Sequence, residues 1–228
     1  MTTLAPGVAR DMIRAMPDDL VLYGNDLYSS PYVFSAFVTL TEKRVPFRFE
    51  LLSLEKGEHH RPDYAGPSFT GKVPALRHGD FWIAESSAID EYVEDAFPPP
   101  AHPRLYPEDP RARAKVRMVQ ALLRSDLVPL RAARPASSLF LGEAVAPMPP
   151  DAKASAERLL AFAAAVLPAG ASFVGGAFSP GDADLALMLQ RLVANGDPCP
   201  ERLAAWAQTI FARPSIRAWL AKTRWKDR

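Results

Sequence analysis

The sequence predicts two domains of different class, an α/β domain followed by an all-α helical bundle. Short apolar runs and a hairpin signal, both typical of strands, occur only in the first part of the chain. Prolines then recur too densely for a helix to continue, and beyond them apolar residues keep helical spacing. We therefore divide the chain into an extension (1–17), an α/β domain (18–97), a proline-rich linker (98–110) and a helical domain (111–228).

The bulk composition excludes several classes of protein. With 228 residues and 48% hydrophobic content, the chain can bury a substantial core. A formal net charge of +1 gives no reason to expect nucleic acid or an anionic membrane surface as a partner. The sequence has no run of about 18 apolar residues, so we expect no membrane span.

The N-terminus and the cysteine content bear on location. Residues 1–17 lack the apolar core of a secretory signal, so we expect a mobile or loosely docked extension there. Cys199 is the single cysteine, which excludes an intramolecular disulfide and indicates a reducing compartment. We therefore expect a cytoplasmic protein.

The first strand and the first helix are marked by local signals. An apolar run at 20–23 predicts a buried strand. A helix is expected over 32–40, because Ser29 or Ser30 can serve as its N-cap and Pro31 suits its first turn.

The remaining elements of the α/β domain complete the order strand, helix, strand, hairpin, helix. Residues 47–52 are rich in β formers and predict a second strand, whereas the polar segment 54–69 predicts a loop with one irregular helix. A Gly-Asp turn between 73–77 and 81–84 predicts a hairpin, and apolar residues spaced four apart predict a helix over 86–97. This order is the thioredoxin-like arrangement.

Apolar periodicity predicts about five or six helices in the second domain. The periodic segments are 111–130, 152–167, 182–195, 203–211 and 215–220. Ser179 followed three residues later by Asp182 is an acidic variant of the capping box, which we expect to begin a buried helix.

Two short motifs in the first domain suit the binding of a peptide. Val73-Pro74 begins a predicted strand, where an X-Pro bond is a candidate for the cis form and the preceding residue can offer its backbone to a ligand. Glu85-Ser86 opens a predicted helix and places an acid, a hydroxyl and free N–H groups where anions bind. Together the motifs indicate a main-chain clamp beside a carboxylate site.

Ser30 is the candidate for activating a bound thiol, although a hydroxyl at this position can also simply cap the helix. A thiol beside it would receive a hydrogen bond from the hydroxyl and lie at the positive end of the helix dipole, and both effects favour the thiolate. An ordinary thiol is only a few per cent ionised at neutral pH. Lowering its pKa by about two units would make most of it nucleophilic.

These motifs resemble those of the glutathione S-transferase family, in particular its serine-type cytosolic members of the tau, zeta or theta-like kind. Residues 28–32 resemble the start of the family's first helix. The resemblance implies that Ser30 stabilises the thiolate of glutathione, with Ser29 as the runner-up.

The same resemblance implies roles for the clamp residues. Lys72 would meet the glycine carboxylate of glutathione, and Val73, held by Pro74, would pair with the cysteinyl unit through its main chain. Glu85 and Ser86 would hold the γ-glutamyl amine and carboxylate. The chemical types fit, since each charge meets its opposite or a helix start.

As a whole, the resemblance implies a homodimeric glutathione transferase that uses glutathione as cosubstrate and no metal. The second substrate would be a small electrophile or a peroxide. A non-catalytic binding or regulatory protein, and a glutathione-dependent isomerase or dehalogenase, remain as alternatives. The chain departs from many relatives in having Ser35 where they carry an arginine.

Other polar residues give weaker signals. Arg113, Arg117 and Arg124 recur at helical spacing, and we interpret them as a solvated face with local ion pairs. The alternative is a cleft face that binds an acidic electrophile. The histidines are expected in solvated or surface loops, namely His59, His60, His78 and His102.

Overall fold

A four-stranded mixed sheet forms the centre of the first domain. The computed structural model describes residues 19–223, so the extension expected at 1–17 lies outside the described residues. The strands are β1 (Leu20–Asn25), β2 (Arg48–Leu52), β3 (Ala75–His78) and β4 (Phe81–Ala84). Their order in the sheet is β2-β1-β3-β4, with β1 and β2 parallel and the other pairs antiparallel.

β1 is buried along its whole length, on both faces of the sheet. Successive side chains of a strand point to opposite faces. Leu20 and Leu22 accordingly join the main core, whereas Val21 and Tyr23 join a second, smaller core. A strand covered on both faces is apolar throughout, which is why this run shows no alternation in sequence.

Three α-helices pack on this sheet within the described part of the chain. α1 (Pro31–Glu42) contacts β1 and α3 (Ser86–Ala96), and α2 (Pro62–Ser68) contacts β4. A 3-10 turn at Glu58–His60 precedes α2, so the expected irregular segment contains two short helical pieces. The order of elements confirms the thioredoxin-like arrangement.

The proline-rich linker is packed against the first domain. Leu105 is 6% exposed and Tyr106 is completely buried. Glu94 of α3 accepts a hydrogen bond from the backbone N–H of Leu105 and forms a 3.0 Å ion pair with Lys43, the C-cap of α1. This buried ion pair therefore fixes the linker to both α1 and α3.

Seven helices follow the linker in residues up to 223, whereas the sequence predicts five or six. They are α4 (Pro110–Ser125), α5 (Val128–Ala133), α6 (Ala136–Phe140), α7 (Pro150–Val166), α8 (Pro180–Val193), α9 (Glu201–Phe211) and α10 (Pro214–Leu220). The single helix expected over 111–130 is two helices, because Leu127 between them has a φ of 60°. α6 has only five residues, too few for a period to show.

α8 is the most deeply buried helix of the second domain and contacts α1, α4 and α9. Its predicted capping box is confirmed. The backbone N–H and the hydroxyl of Ser179 both donate to Asp182 Oδ2, at 2.9 and 2.6 Å. Asp182 Oδ1 accepts from the N–H of Val174 at 2.7 Å, so one carboxylate holds the start of α8 and the preceding loop.

The expectation for His78 is wrong. It lies on β3 rather than in a surface loop, is 8% exposed, and places Nδ1 2.7 Å from the Tyr92 hydroxyl. Burial lowers the pKa of His78. His102 lies in the linker, where its Nδ1 is 3.0 Å from the carbonyl oxygen of Lys43.

Candidate active site

The predicted site residues meet at one edge of the sheet. Ala75, at the start of β3, pairs with Tyr23 near the end of β1 and with Ala84 at the end of β4. The segments after Tyr23 and Ala84, and the segment before Ala75, therefore leave the sheet at the same end. These segments carry Ser29, Ser30, Lys72, Val73, Pro74, Glu85 and Ser86.

The clamp segment lies just outside the strand ladder. The Val73-Pro74 peptide bond is cis, as the sequence indicated, and Val73 precedes the first residue of β3. Tyr64 of α2 donates a hydrogen bond from its hydroxyl to the carbonyl of Lys72 at 2.6 Å, while the Lys72 side chain is exposed. α2 thus fixes the segment and leaves the lysine in solvent.

The start of α3 presents an exposed acid next to a buried hydroxyl. Glu85 is the N-cap residue, exposed and with a φ of 67°, and Ser86 is the first helical residue, 2% exposed. The first N–H groups of a helix have no intrahelical acceptor, and the helix dipole adds a partial positive charge there. The start of α3 can therefore bind a carboxylate.

Ser29 and Ser30 are held by Asn25, the last residue of β1. Asn25 Nδ2 donates to Ser29 Oγ at 2.9 Å, and Asn25 Oδ1 accepts from the backbone N–H of Ser30 at 3.2 Å. Ser30 Oγ accepts from the N–H of Val33 at 3.3 Å, which makes Ser30 the N-cap of α1. Each serine oxygen accepts one hydrogen bond, so each hydroxyl hydrogen can still be donated to a ligand.

Asn25 is a residue that sequence reasoning missed. It is 3% exposed at the end of a buried strand. A buried amide needs hydrogen-bond partners, and this one finds them on the two serines. The signal in the sequence is an Asn two residues after an apolar run and four before a serine pair, and the Gly-Asn dipeptide predicts a turn equally well.

Arg124 of α4 is not a solvated surface residue, which corrects the interpretation of that helix face. Its Nε and Nη2 donate to Ser86 Oγ at 3.1 and 2.8 Å, and Nη2 also donates to Ser35 Oγ at 3.1 Å. Its Nη1 donates to Asp184 of α8 at 2.7 Å. One guanidinium therefore links α4 to α1, α3 and α8, directly beneath the start of α3.

The same cluster contains two buried carboxyl groups. Asp90 Oδ2 accepts from the Ser35 hydroxyl at 3.1 Å and from Gln120 at 3.0 Å, and Gln120 also donates to Asp184 at 3.3 Å. Burial, together with the neighbouring Asp184 carboxylate, raises the pKa of Asp90 to about 7, although Arg124 lies 4.0 Å away.

Arg113 and Arg117 behave as the local ion pairs that the sequence predicts. Arg113 Nη2 lies 2.8 Å from Glu91 Oε2 on α3, and Arg117 pairs with the same carboxylate. The three arginines of α4 therefore have two different roles, which their spacing alone does not separate.

Two further properties concern residues 19–223. No group of three or more His, Cys, Asp and Glu side chains in this range could hold a metal ion. No helix in this range combines the length and the apolar character that crossing a bilayer requires.

Fold and site together define a class of proteins in which a thioredoxin-like domain with a cis-proline edge is joined to an all-α domain. The protein-family model for the glutathione S-transferase N-terminal domain matches residues 29–96. The family model for the glutathione S-transferase C-terminal domain matches residues 109–224. The chain belongs to the glutathione S-transferase family.

Individual relatives agree with this assignment. Glutathione S-transferase theta-3 of Mus musculus is 33% identical over 134 residues, 57% of this chain and 53% of the relative, so the chain spans about half the length of that protein. Glutathione S-transferase theta-1 of Bos taurus is 30% identical over 200 residues, 82% of this chain and 80% of the relative. The crystal structure of a Burkholderia glutathione transferase homologue with bound glutathione is 33% identical, with a TM-score of 0.72, and covers 89% of this chain and 96% of that one.

Proposed function

We propose that this chain is a glutathione transferase, which binds glutathione at the described edge of the sheet and uses its thiolate to attack an electrophile. One observation carries the proposal: Ser30 at the start of α1, the cis Val73-Pro74 bond and the Glu85-Ser86 start of α3 meet at that edge. Each feature suits one part of a γ-glutamyl tripeptide thiol, and membership of the family supports the combination.

In this proposal, main-chain groups and opposite charges hold the tripeptide. Val73 pairs with the cysteinyl unit as a neighbouring strand would, and Lys72 pairs with the glycine carboxylate. Glu85 pairs with the γ-glutamyl ammonium, and the first N–H groups of α3 bind the γ-glutamyl carboxylate. Because Arg124 donates to the Ser86 oxygen, the Ser86 hydroxyl keeps its own hydrogen for that carboxylate.

Ser30 activates the sulfur. Its hydroxyl donates a hydrogen bond to the thiolate, and the positive end of α1 adds to the stabilisation. Lowering the pKa of the thiol by about two units corresponds to about 2.7 kcal/mol and makes most of it ionised at neutral pH. The sulfur then forms a bond to the electrophilic carbon, and the leaving group departs with the electron pair of the bond that breaks.

Replacement of Ser30 by alanine tests this role. We expect Ser30→Ala to raise the pKa of bound glutathione by about one to two units and to lower kcat/KM for an aryl halide by about 10- to 100-fold. The affinity for glutathione should change little, because the sulfur is the one glutathione atom that the hydroxyl contacts in this proposal. Thiolate absorbance against pH and steady-state kinetics measure the two effects.

The control for this experiment is Ser125→Ala, which removes an exposed hydroxyl from α4. If Ser30→Ala has no effect and Ser29→Ala shifts the pKa of glutathione, then Ser29 is the activating residue. If neither substitution changes the pKa or the rate, the proposed activation is wrong.

We also propose that peroxides are substrates, because the same thiolate can attack them. The sulfur takes one peroxide oxygen as the O–O bond breaks, and the other oxygen leaves as an alcohol after protonation. The sulfenic acid formed on glutathione then condenses with a second glutathione, giving glutathione disulfide and water. If the serine variant that loses conjugation also loses hydroperoxide reduction, both activities depend on the same site.

Three organisational expectations stay proposals. We propose that residues 98–110 form a linker between a thioredoxin-like domain (18–97) and a helical domain (111–228), supported by the confinement of the described strands to residues 20–84. We propose a homodimer, supported by Phe69, which is 83% exposed near the clamp and is too apolar to favour water. We propose a cytoplasmic location, supported by the single cysteine.

A further inference from the structure

A small cavity lies between α1, α4, α5 and α8 and has an excess of positive charge. Its lining includes three guanidinium groups, those of Arg124, Arg131 and Arg191, but a single carboxylate, that of Asp184. Asp184 is already paired with Arg124 at 2.7 Å. Among residues 19–223, no carboxylate lies at ion-pair distance from the remaining two cations, although the charge of Asp126 interacts with Arg131 from further away.

Arg191 is the more unusual of the two cations. It is 3% exposed, and its Nη1 donates a hydrogen bond to the backbone carbonyl of Arg134 at 2.8 Å. Its Nε is buried without a partner in the described residues. Burial lowers the pKa of Arg191 to about 10, yet a guanidinium remains protonated at neutral pH. A buried charge of this kind is costly unless an opposite charge accompanies it.

Arg131 adds a second incompletely used guanidinium. Its Nη1 donates to the hydroxyl of Tyr32 at 2.7 Å, and its buried Nε also lacks a partner within the described chain. A guanidinium carries five N–H donors, so both arginines have donors to spare. Tyr32 and Pro31 of α1, which directly follow Ser30, form the wall of the cavity towards the proposed thiolate.

The size of the cavity limits what can occupy it. The volume is about 20 Å³, and roughly 10–15 Å³ suffices for one water molecule. A drug-sized ligand needs several hundred Å³, so it cannot enter. One halide ion, or the carboxylate end of a larger molecule, matches both the volume and the charge. Leu123, Leu187 and Met188 complete the lining and keep the surroundings apolar, which strengthens the attraction.

We propose that this cavity binds one small monovalent anion between Arg131 and Arg191, either a free halide ion or the carboxylate group of the electrophile. Binding of a free halide ion requires nothing beyond the cavity itself. Binding of the electrophile's carboxylate rests on the proposed transferase activity, and it would make acidic electrophiles the preferred second substrates.

Anion-dependent melting tests the site without any assay of activity. The probes are sodium chloride, sodium formate and sodium methanesulfonate at equal concentration, because methanesulfonate matches the ionic strength but its tetrahedral head group is bulkier than a halide ion or a planar carboxylate. With the bound anion at about ten times its Kd, we expect a melting temperature about 3 °C higher than in methanesulfonate. Arg191→Met and Arg131→Met should each abolish the difference.

Arg48→Met is the matched control, since Arg48 lies on β2, is half exposed and pairs with Glu50 outside the cavity. It should keep the full anion effect. If Arg191→Met fails to fold, Arg131→Met, at a less buried position, decides alone. Equal melting temperatures in all three salts, or an anion effect that survives both cavity substitutions, would overturn the proposal.

Kinetics with a chloronitrobenzoate and its methyl ester show whether the cavity binds the carboxylate of the substrate or a free halide ion. If the cavity holds the substrate carboxylate, Arg131→Met should raise KM for the acid about tenfold and leave the ester nearly unchanged, and chloride should compete with the acid. If the cavity holds a free halide, acid and ester should respond alike and chloride should not compete. Absence of conjugation with both compounds would count against the transferase proposal, while the melting result would still decide whether the anion site exists.

Discussion

Asp90 shows how a single buried residue makes this fold sensitive to pH. Burial and the neighbouring Asp184 raise its folded-state pKa to about 7, whereas an aspartate in the unfolded chain titrates near 4. The folded state therefore binds the proton more tightly than the unfolded state does. Asp90 should contribute stability below about pH 4 that is lost progressively as the pH rises to about 7.

Substitution of Asp90 by asparagine should remove this dependence. The free energy of unfolding of Asp90→Asn minus that of the wild type should increase by about 1 kcal/mol per pH unit between pH 5 and 7 and level off above that range. Urea denaturation at a series of pH values measures the difference. Asp182, whose pKa burial raises to about 6, titrates in both proteins and cancels. A difference that does not vary with pH would contradict the raised pKa.

At the scale of elements, α4 supports the start of α3 through Arg124. The planar guanidinium donates to Ser86 with two nitrogens and to Asp184 with a third, an arrangement that a lysine cannot reproduce. We classify Arg124 as a positioning residue, since in the proposed complex it acts on glutathione through Ser86.

Substitution of Arg124 by lysine should therefore weaken binding more than chemistry. We expect Arg124→Lys to raise KM for glutathione about five- to tenfold while kcat falls less than twofold or so. Arg117→Lys is the control, since Arg117 lies on the same helix but pairs with Glu91 at the surface. A fall in kcat with an unchanged KM would show that Arg124 does not act through the γ-glutamyl site.

The elements also show what could be predicted from the sequence and what could not. The sheet, the cap at Ser30 and the capping box at Ser179 depend on local signals, and the structure confirms them. The break at Leu127 was hidden, because this leucine continues the helical period of its neighbours. The role of Arg124 was hidden for another reason: a period gives the face of a helix, but not which domain covers that face.

At the scale of the whole molecule, Trp219 joins the two domains. It is completely buried on α10, and its ring contacts Phe34, Phe37 and Phe49 of the first domain at centroid distances of 5.3–6.2 Å. A side chain of this size, shared between two sets of elements, makes their cores continuous. We therefore expect the described parts of both domains to unfold together.

Trp219→Ala should lower the free energy of unfolding by about 3–5 kcal/mol, because it removes a large buried side chain and leaves a cavity. Unfolding in urea should remain a single transition, with the same midpoint by far-ultraviolet circular dichroism and by the fluorescence of the three remaining tryptophans, which include Trp82 in the sheet. Trp206→Ala, at a half-buried position on α9, should cost clearly less. Two separate transitions, with the sheet unaffected, would contradict the shared core.

The buried ion pair between Lys43 and Glu94 has a further consequence for selectivity. Since Glu94 also accepts a hydrogen bond from the backbone at Leu105, the ion pair restrains the linker where it leaves the first domain, and we expect the helical domain to keep its distance from the proposed thiolate throughout turnover. A change of substrate range would then require substitutions of individual side chains on the helical domain rather than a movement of one domain relative to the other.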